Sequence, residues 1–389
     1  SYLVKDKKKG NNLSVFIFFT GIVFVVILLS LVIASVLIKD KAFSEEENRN
    51  LQTVPTFSVD KALSGRFESE AESYANDQFP FRNFFVTTKT IFDVLTGKRE
   101  SSGVYLGKHD YLLEQFKVPS EKENERRKQA ISEFSKSHTD LKQYMMIVPN
   151  SENILKEYLP NNAQAVDQNK YIEDFYSQTK SFGIQNIDVT KTFNENKSEN
   201  LFYKTDHHWT SEGAYLAFLE AAKTMGISAN INYEKKVVAN DFKGTLSSKS
   251  GFRQNVSDSI TVFFAEENSP KSVINYLDEQ RKTATFYESV NLDRKDKYTV
   301  FLNGNHPQIK ITTPTKENKK LLVIKDSYAN AFIPFLAPYF REIVVIDPRY
   351  FYGDLEELIK EEKLTEVLFL YNANTFFEDS ALSNMLLAR

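Results

Sequence analysis

Positions 13 to 38, Leu13 through Ile38, run for 26 residues without a charged side chain, and Val, Ile, Leu and Phe dominate them. As a helix such a run rises about 39 Å at about 1.5 Å per residue, more than the roughly 30 Å hydrocarbon core of a bilayer, so it spans with some tilt. A secretory signal has an apolar stretch of only about 7–15 residues, which this run exceeds. Ala34-Ser35-Val36 has the small-residue character of a cleavage site, and a buried core helix is equally apolar, but neither accounts for the length. Lys5, Lys7, Lys8 and Lys9 precede the run, whereas Glu45-Glu46-Glu47 follow soon after it, beyond Lys39, Asp40 and Lys41. Basic flanks stay in the cytoplasm. The expected topology is a single-pass cell-membrane protein: 1–12 a cytoplasmic tail, 13–38 a transmembrane helix, and the rest extracytoplasmic.

That placement narrows the chemistry. An exterior domain is remote from cytoplasmic ATP and NADH, and no cofactor is expected. The chain has no Cys, which excludes disulfides, thiolate zinc sites and a cysteine nucleophile together. A metal would need His and carboxylates, and there are 5 His in 389 residues. Lys and Arg total 49 against 52 Asp and Glu, so the basic excess of a nucleic-acid binder is missing and no nucleic-acid partner is expected. With 41 % hydrophobic residues the exterior part can bury a real core.

Residues 39–100 read as a juxtamembrane stalk. It has a linker at Gln52–Ser58, an amphipathic stretch near Val59–Tyr74, and a turn at Asp77-Gln78-Phe79-Pro80-Phe81-Arg82, where Arg82 suits an ion pair or a carboxylate clamp. From residue 101 to 389, short β-branched or aromatic runs alternate with longer helical patterns. This predicts an α/β domain with a mostly parallel sheet flanked by helices. Strands are predicted at Gln143–Val148, Gln185–Val189, Leu321–Ile324, Glu342–Ile346 and Glu366–Leu370. Helices are predicted at Glu121–Ser137, Gln168–Ser181, Ser211–Thr224, Tyr328–Leu336 and Asp354–Glu362. The segment 240–315 is less regular, with extra strands expected at Ile260–Phe264 and Thr299–Leu302.

Two places concentrate reactive side chains. The first is Tyr203-Lys204-Thr205-Asp206-His207-His208-Trp209-Thr210. In an extended segment residues i and i+2 share a face, which puts Asp206 beside His208 and turns His207 away. A carboxylate beside an imidazole fixes its tautomer and stabilises the imidazolium that forms when it takes a proton. A surface turn is the plainer alternative. The second is Leu321-Leu322-Val323-Ile324-Lys325-Asp326-Ser327-Tyr328-Ala329-Asn330, where an apolar strand runs straight into a helix. Sites in open parallel sheets form outside the carboxyl ends of strands, and free N–H groups at a helix start suit an oxyanion. Ser327 there is either a nucleophile needing a nearby base or a helix N-cap. Together the two places supply nucleophile, base and orienter. A metal reading fails on the same geometry, because adjacent His207 and His208 on a strand face apart and no Asp-x-Asp accompanies them.

Thr205-Asp206-His207-His208-Trp209-Thr210 resembles the signature of the bacterial DHHW protein family. Glu47-Asn48-Arg49, Asn76–Arg82, Gly103-Val104-Tyr105-Leu106-Gly107, Gly304-Asn305-His306-Pro307 and Lys325-Asp326-Ser327-Tyr328-Ala329-Asn330 fit it as well. That family is similar to the SGNH-hydrolase-like proteins of alginate O-acetylation, AlgJ and AlgX, in which an Asp-x-His motif precedes the nucleophilic serine. The order Asp206, His208, Ser327 is the same. The resemblance implies an SGNH-hydrolase-like domain that O-acetylates an exported or cell-wall polysaccharide. The acetyl groups would come from a membrane-bound O-acyltransferase partner. The sequence departs from the usual Gly-Asp-Ser block in having Lys325 where glycine stands. Lys325 is expected to act on substrate charge or to be a solvated strand end. Asn305 is the first candidate for a second oxyanion donor, with a plain tight turn as the alternative. Arg349 and Tyr350 are placed to meet a sugar or carboxylate or to serve structure, and His207 and Tyr328 are further candidates for substrate contact. Trp209 is expected to pack rather than to bind sugar.

The leading expectation is thus a membrane-anchored serine O-acetyltransferase with Ser327, His208 and Asp206 as triad. A polysaccharide acetyl esterase with the same residues and a non-catalytic polysaccharide-binding scaffold of a synthesis complex are the rivals.

Overall fold

In this computed structural model, residues 2–44, 49–252, 256–267 and 269–388 are described. Glu45, Glu46, Glu47 and Asn48 lie outside them. The chain divides into two units, Ser1–Thr96 and Gly97–Arg389.

The first unit begins with helix α1 (Tyr2–Leu37). Its stretch Phe16–Leu37 has a mean hydropathy of 3.1 and is long and apolar enough to cross a membrane. Three shorter helices follow: α2 (Val59–Leu63), α3 (Arg66–Asp77) and α4 (Arg82–Leu95). The end of α3 is clipped to the chain just beyond α1. The Lys41 N–H donates to Gln78 Oε1 at 3.1 Å, Gln78 Nε2 returns a bond to the Lys41 carbonyl at 3.0 Å, and the Tyr74 hydroxyl donates to Asp40 at 2.9 Å.

The second unit is a three-layer α/β domain. Its sheet holds β1 (Lys142–Val148), β2 (Gln185–Asn186), β3 (Val273–Tyr276), β4 (Arg281–Thr283), β5 (Gln308–Thr312), β6 (Lys320–Lys325), β7 (Glu342–Ile346) and β8 (Glu366–Asn372), in the spatial order β4-β3-β5-β7-β6-β8-β1-β2. The run β7-β6-β8-β1-β2 is parallel; β5, β3 and β4 extend one edge antiparallel. The parallel strands read as continuous apolar runs because both sheet faces are covered. Leu321 and Val323 face one layer with α7 (Ser211–Met225) and α8 (Ala329–Leu336). Leu322 and Ile324 face the other with α5 (Glu121–Ser137), α6 (Gln168–Ser181) and α9 (Leu355–Glu362).

Local chemistry sets the helix ends. Ser120 caps α5 by accepting from the Glu123 N–H, and Asp354 caps α9 by accepting from that of Glu357. Thr210 caps α7 on the Gly213 N–H, and Gly226, at φ +65°, closes it in the left-handed conformation that glycine adopts without strain. A long hairpin of Tyr233–Phe242 and Asp258–Ala265 stands outside the main sheet and includes the strand expected at Ile260–Phe264. Thr299–Leu302 is not a strand. A 3-10 turn covers Lys297–Val300, and left-handed φ angles at Leu302, Asn303 and Gly304 turn the chain sharply instead of extending it.

Candidate active site

Strand β6 delivers Ser327 to the carboxyl edge of the sheet, two residues past its last member. The turn is held from the ends of β8 and, beyond it, β1. Asp326 accepts the Tyr328 N–H at 2.9 Å on one oxygen; on the other it accepts the Asn372 backbone and side-chain N–H groups at 2.9 and 2.6 Å. Asn150, just beyond β1, donates to Asn372 Oδ1 at 3.3 Å and to the Tyr328 hydroxyl at 3.4 Å. Helix α8 starts only at Ala329 and receives no side-chain cap, so the Ser327 hydroxyl is not an N-cap. It lies 2.7 Å from His208 Nε2.

The loop carrying His208 is not extended. Phe202 pairs antiparallel with Trp209, and the Tyr203 N–H donates to the His208 carbonyl, so 204–207 form the tip of a tight hairpin. Asp206 and His208 nevertheless meet, because the Asp206 side chain folds back over its own turn. Its Oδ1 accepts the His208 backbone N–H at 2.9 Å and faces His208 Nδ1 at 2.5 Å. An ionised carboxylate only accepts, so the proton sits on Nδ1 and the Nε2 lone pair faces Ser327. The expectation that His207 turns away fails for the same reason. In the bent tip its ring packs on His208 with centroids 3.9 Å apart, and its Nδ1 lies 2.7 Å from Thr245 Oγ1.

Three features of the site were not read from the sequence. Thr245 gives both its N–H, at 2.7 Å, and its hydroxyl, at 2.9 Å, to Asp206 Oδ2, filling the second carboxylate oxygen. Gly244 makes this possible: a Cβ there would lie 2.2 Å from Asp206 Cβ. Its own N–H donates to Thr205 Oγ1, whose hydroxyl donates to buried Asp258 at 2.6 Å. Tyr298 stacks on His208 with centroids 3.6 Å apart and planes 12° apart, forming the back wall of the imidazole. The only early sign of these was the glycine of an otherwise irregular segment.

Burial sets the electrostatics. Desolvation, aided by His207, pushes His208 down to about 4 despite the opposing Asp206 carboxylate, so the imidazole is neutral at neutral pH. Burial alone would raise Asp206, but His208, His207 and the Thr245 N–H outweigh it and hold the carboxyl well below the usual range. Asp206, His207 and His208 bring potential metal-binding atoms within 4.8 Å of one another. Both His208 nitrogens and both Asp206 oxygens carry hydrogen bonds within the protein.

The remaining candidates form a second network beside the first. Lys325 is fully buried, so it neither meets substrate charge nor ends the strand in solvent. Its ammonium donates to Asn305 Oδ1 at 2.8 Å and Asn330 Oδ1 at 2.9 Å, and faces Asp347 at 3.6 Å. Arg349 grips the same Asp347 with Nε at 2.9 Å and Nη2 at 2.6 Å, and its guanidinium lies over the exposed Tyr350 ring. Arg349 thus serves the buried pair rather than meeting solvent as a free clamp. Asn305 is exposed, and because Lys325 can only donate, the Asn305 amide oxygen must face it and the NH2 group must face away. Tyr328 is fully buried, which removes it as a substrate contact. Trp209 is also fully buried, packed against Phe332 and Tyr328.

Comparison with known proteins sorts this arrangement. Residues 104–295 match the family model of the SGNH hydrolase-like domain of the acetyltransferase AlgX. The matched segment includes Asp206 and His208 and ends before Ser327. A probable alginate O-acetylase AlgJ of Pseudomonas syringae pv. tomato is 25 % identical over 176 residues, covering 43 % of this chain and 45 % of the relative. The chain thus spans about half the length of the curated relatives it matches. A DHHW family protein from Eubacterium siraeum superposes with a TM-score of 0.64 at 20 % identity, over 75 % of this chain and 98 % of that one. Bacillus cereus PatB1, solved with a sulfonyl adduct, gives 0.59 at 20 % identity, over 72 % and 97 %. The resemblance to the DHHW family and to the AlgX-type SGNH-like domain therefore holds, and with it the fold class.

Proposed function

We propose that this chain is a membrane-anchored O-acetyltransferase whose SGNH-like domain works outside the cell on the hydroxyls of an exported or cell-wall polysaccharide. The carrying observation is the unbroken chain Asp206–His208–Ser327, with contacts of 2.5 and 2.7 Å. A hydroxyl is a poor nucleophile until a base takes its proton, and the neutral imidazole facing Ser327 is that base. In the first half-reaction Ser327 Oγ bonds to the acetyl carbonyl carbon as its proton passes to His208 Nε2. The bond to the donor's leaving oxygen then breaks, and His208 returns the proton to that oxygen. In the second half, His208 takes the proton of a sugar hydroxyl, the sugar oxygen attacks the acetyl-serine, and Ser327 recovers its proton. The Ser327 N–H and the outward NH2 of Asn305 are the proposed oxyanion donors. Asp206 holds the imidazole tautomer throughout, and the Tyr298 ring face supports the imidazolium. The acetyl group is proposed to come from a membrane-bound O-acyltransferase, beside which α1 would hold the domain at raised effective concentration.

The test has two arms. Mass spectrometry after exposure to an activated acetyl ester should find acetyl on Ser327, and Ser327→Ala should lose both adduct and acetyl release while keeping its circular dichroism. Unchanged hydrolysis by the variant would refute Ser327 as nucleophile and favour a scaffold or a different nucleophile. In cells, deleting the gene should lower the O-acetyl content of the polymer. A rise would mark the protein as a de-acetylase.

A further inference from the structure

Among the described residues, nothing covers one face of helix α4. Projected at 100° per residue, Phe84, Phe85, Thr88, Ile91, Phe92 and Leu95 form one stripe, and Arg82, Lys89 and Asp93 form a charged flank along one edge of it. Phe84 is 66 %, Phe92 64 % and Leu95 80 % exposed, too large and contiguous an apolar surface to leave in water. Along its charged flank Lys89 and Asp93 pair at 2.9 Å. What covers the stripe is indicated by where α4 begins. Gln78 binds both the N–H and the carbonyl of Lys41, four residues past the end of α1, and also the Gln52 carbonyl at 2.9 Å. The Asp77 carboxylate takes the Gln52 N–H at 2.8 Å. The turn after Gln78 is tight, with the Arg82 N–H on the Phe79 carbonyl at 3.1 Å. The first turn of α4 is therefore tied to the point where the apolar helix ends.

We propose that α4 is a membrane-interface helix. Its Phe84, Phe85, Ile91, Phe92 and Leu95 face lies in the boundary between lipid headgroups and acyl chains of the bilayer that α1 enters. An exposed, aromatic-rich apolar stripe with a charged flank beside it suits such a position, the flank lying at the headgroups. The proposal rests on the reading of Phe16–Leu37 as a membrane span. It gives the stalk a function: a second point of membrane attachment, a surface helix, beside the span.

The absence of cysteine makes the test direct, since one introduced thiol is the only one labelled. The full chain is reconstituted in phosphatidylcholine–phosphatidylglycerol vesicles as Phe84→Cys, Phe92→Cys, Lys89→Cys or Val26→Cys, each carrying a nitroxide. Collision of the label with oxygen, which enters lipid, is compared with collision with a water-soluble nickel chelate. The oxygen-to-nickel ratio should be several-fold higher at 84 and 92 than at 89. Equal ratios at 92 and 89 would place the stripe in water and overturn the proposal. Protection of 92 from both probes would assign the face to a protein surface and overturn it equally. The label at 26 separates the two readings: oxygen-favoured there but not at 92 refutes the surface helix alone, whereas nickel-accessible there refutes the span and the proposal with it. Unchanged circular dichroism across the set excludes misfolding as the cause.

Discussion

Gly244→Ala isolates the carboxylate end of the relay without touching any reacting atom. Gly244 has φ −82° and ψ −171°, which alanine adopts freely, so the substitution adds no backbone strain. Its whole effect is the new methyl group, which would stand 2.2 Å from Asp206 Cβ, 2.4 Å from Oδ2 and 2.6 Å from Cγ. Ordinary contact begins near 3.4 Å, so Asp206 or the 244–245 backbone must yield by roughly 1 Å. Asp206 has little room to move, since its two oxygens hold His208 on one side and Thr245 on the other. A displacement of about 1 Å in a positioning group costs on the order of 10²-fold in rate, and overpacking costs about 1–3 kcal/mol of stability. Steady-state hydrolysis of an activated acetyl ester by the full chain in detergent should show the loss in kcat, with KM little changed and a lowered Tm. A variant that folds and retains kcat within about twofold would refute the role given to Asp206, because a loss of order 10² is expected from such a shift.

Asp206→Asn should cut kcat by roughly 10³–10⁴ yet leave activity above that of Ser327→Ala, since it spoils the tautomer and not the nucleophile; the same ester assay checks it. The base acts in its neutral form, and burial pushes His208 down to about 4, so kcat/KM should stay level through weakly acidic pH and fall with a midpoint near 4. The stability linkage has the same sign. The unfolded chain binds the His208 proton more readily than the folded one, so this contribution is present above the ordinary histidine pKa and is lost as pH falls toward 4. Lys325→Met removes one partner of a buried ion pair and should cost about 3–5 kcal/mol in denaturant unfolding. It should also lower kcat more than it raises KM, because the Asn305 amide loses the donor that orients it.

The regular elements were legible because their signals are local. The helices at Glu121–Ser137 and Gln168–Ser181 and the strand at Glu342–Ile346 stand as expected, each bounded by its own caps or turns and buried along its own period. What escaped was set by chain pairing across distance. Tyr298 reaches His208 from a 3-10 turn with no periodic signal, and Thr245 reaches Asp206 from the connection after the strand Tyr233–Phe242. Lys325 looked like a strand end open to solvent because its partner, Asp347, follows the neighbouring strand. Only the register of β6 against β7 brings the two together. The pairing of Asp206 with His208 was expected from alternation along a strand. It arises instead from a side chain accepting the N–H two residues on, a geometry with the same i, i+2 spacing.

The two halves of the site lie 119 residues apart in the chain, and one residue ties them together. Tyr328, directly after the nucleophile, uses all of its polar groups for this. Its N–H goes to Asp326 in the nucleophile turn, its carbonyl accepts Trp209 Nε1 at 3.0 Å, and its hydroxyl donates to the His207 carbonyl at 2.5 Å. Two of the three bonds cross to the histidine loop and flank His208 at positions 207 and 209. A rotation of that loop sufficient to separate Nε2 from Ser327 would have to break both in a dry interior, where unpaired polar groups are costly. The order of the motifs along the chain therefore has no bearing on the chemistry. Asp-x-His can precede serine because Trp209 and Tyr328, not sequence neighbourhood, hold His208 and Ser327 at hydrogen-bonding distance. The same lock explains why the tryptophan beside the histidines is buried instead of lining a sugar cleft.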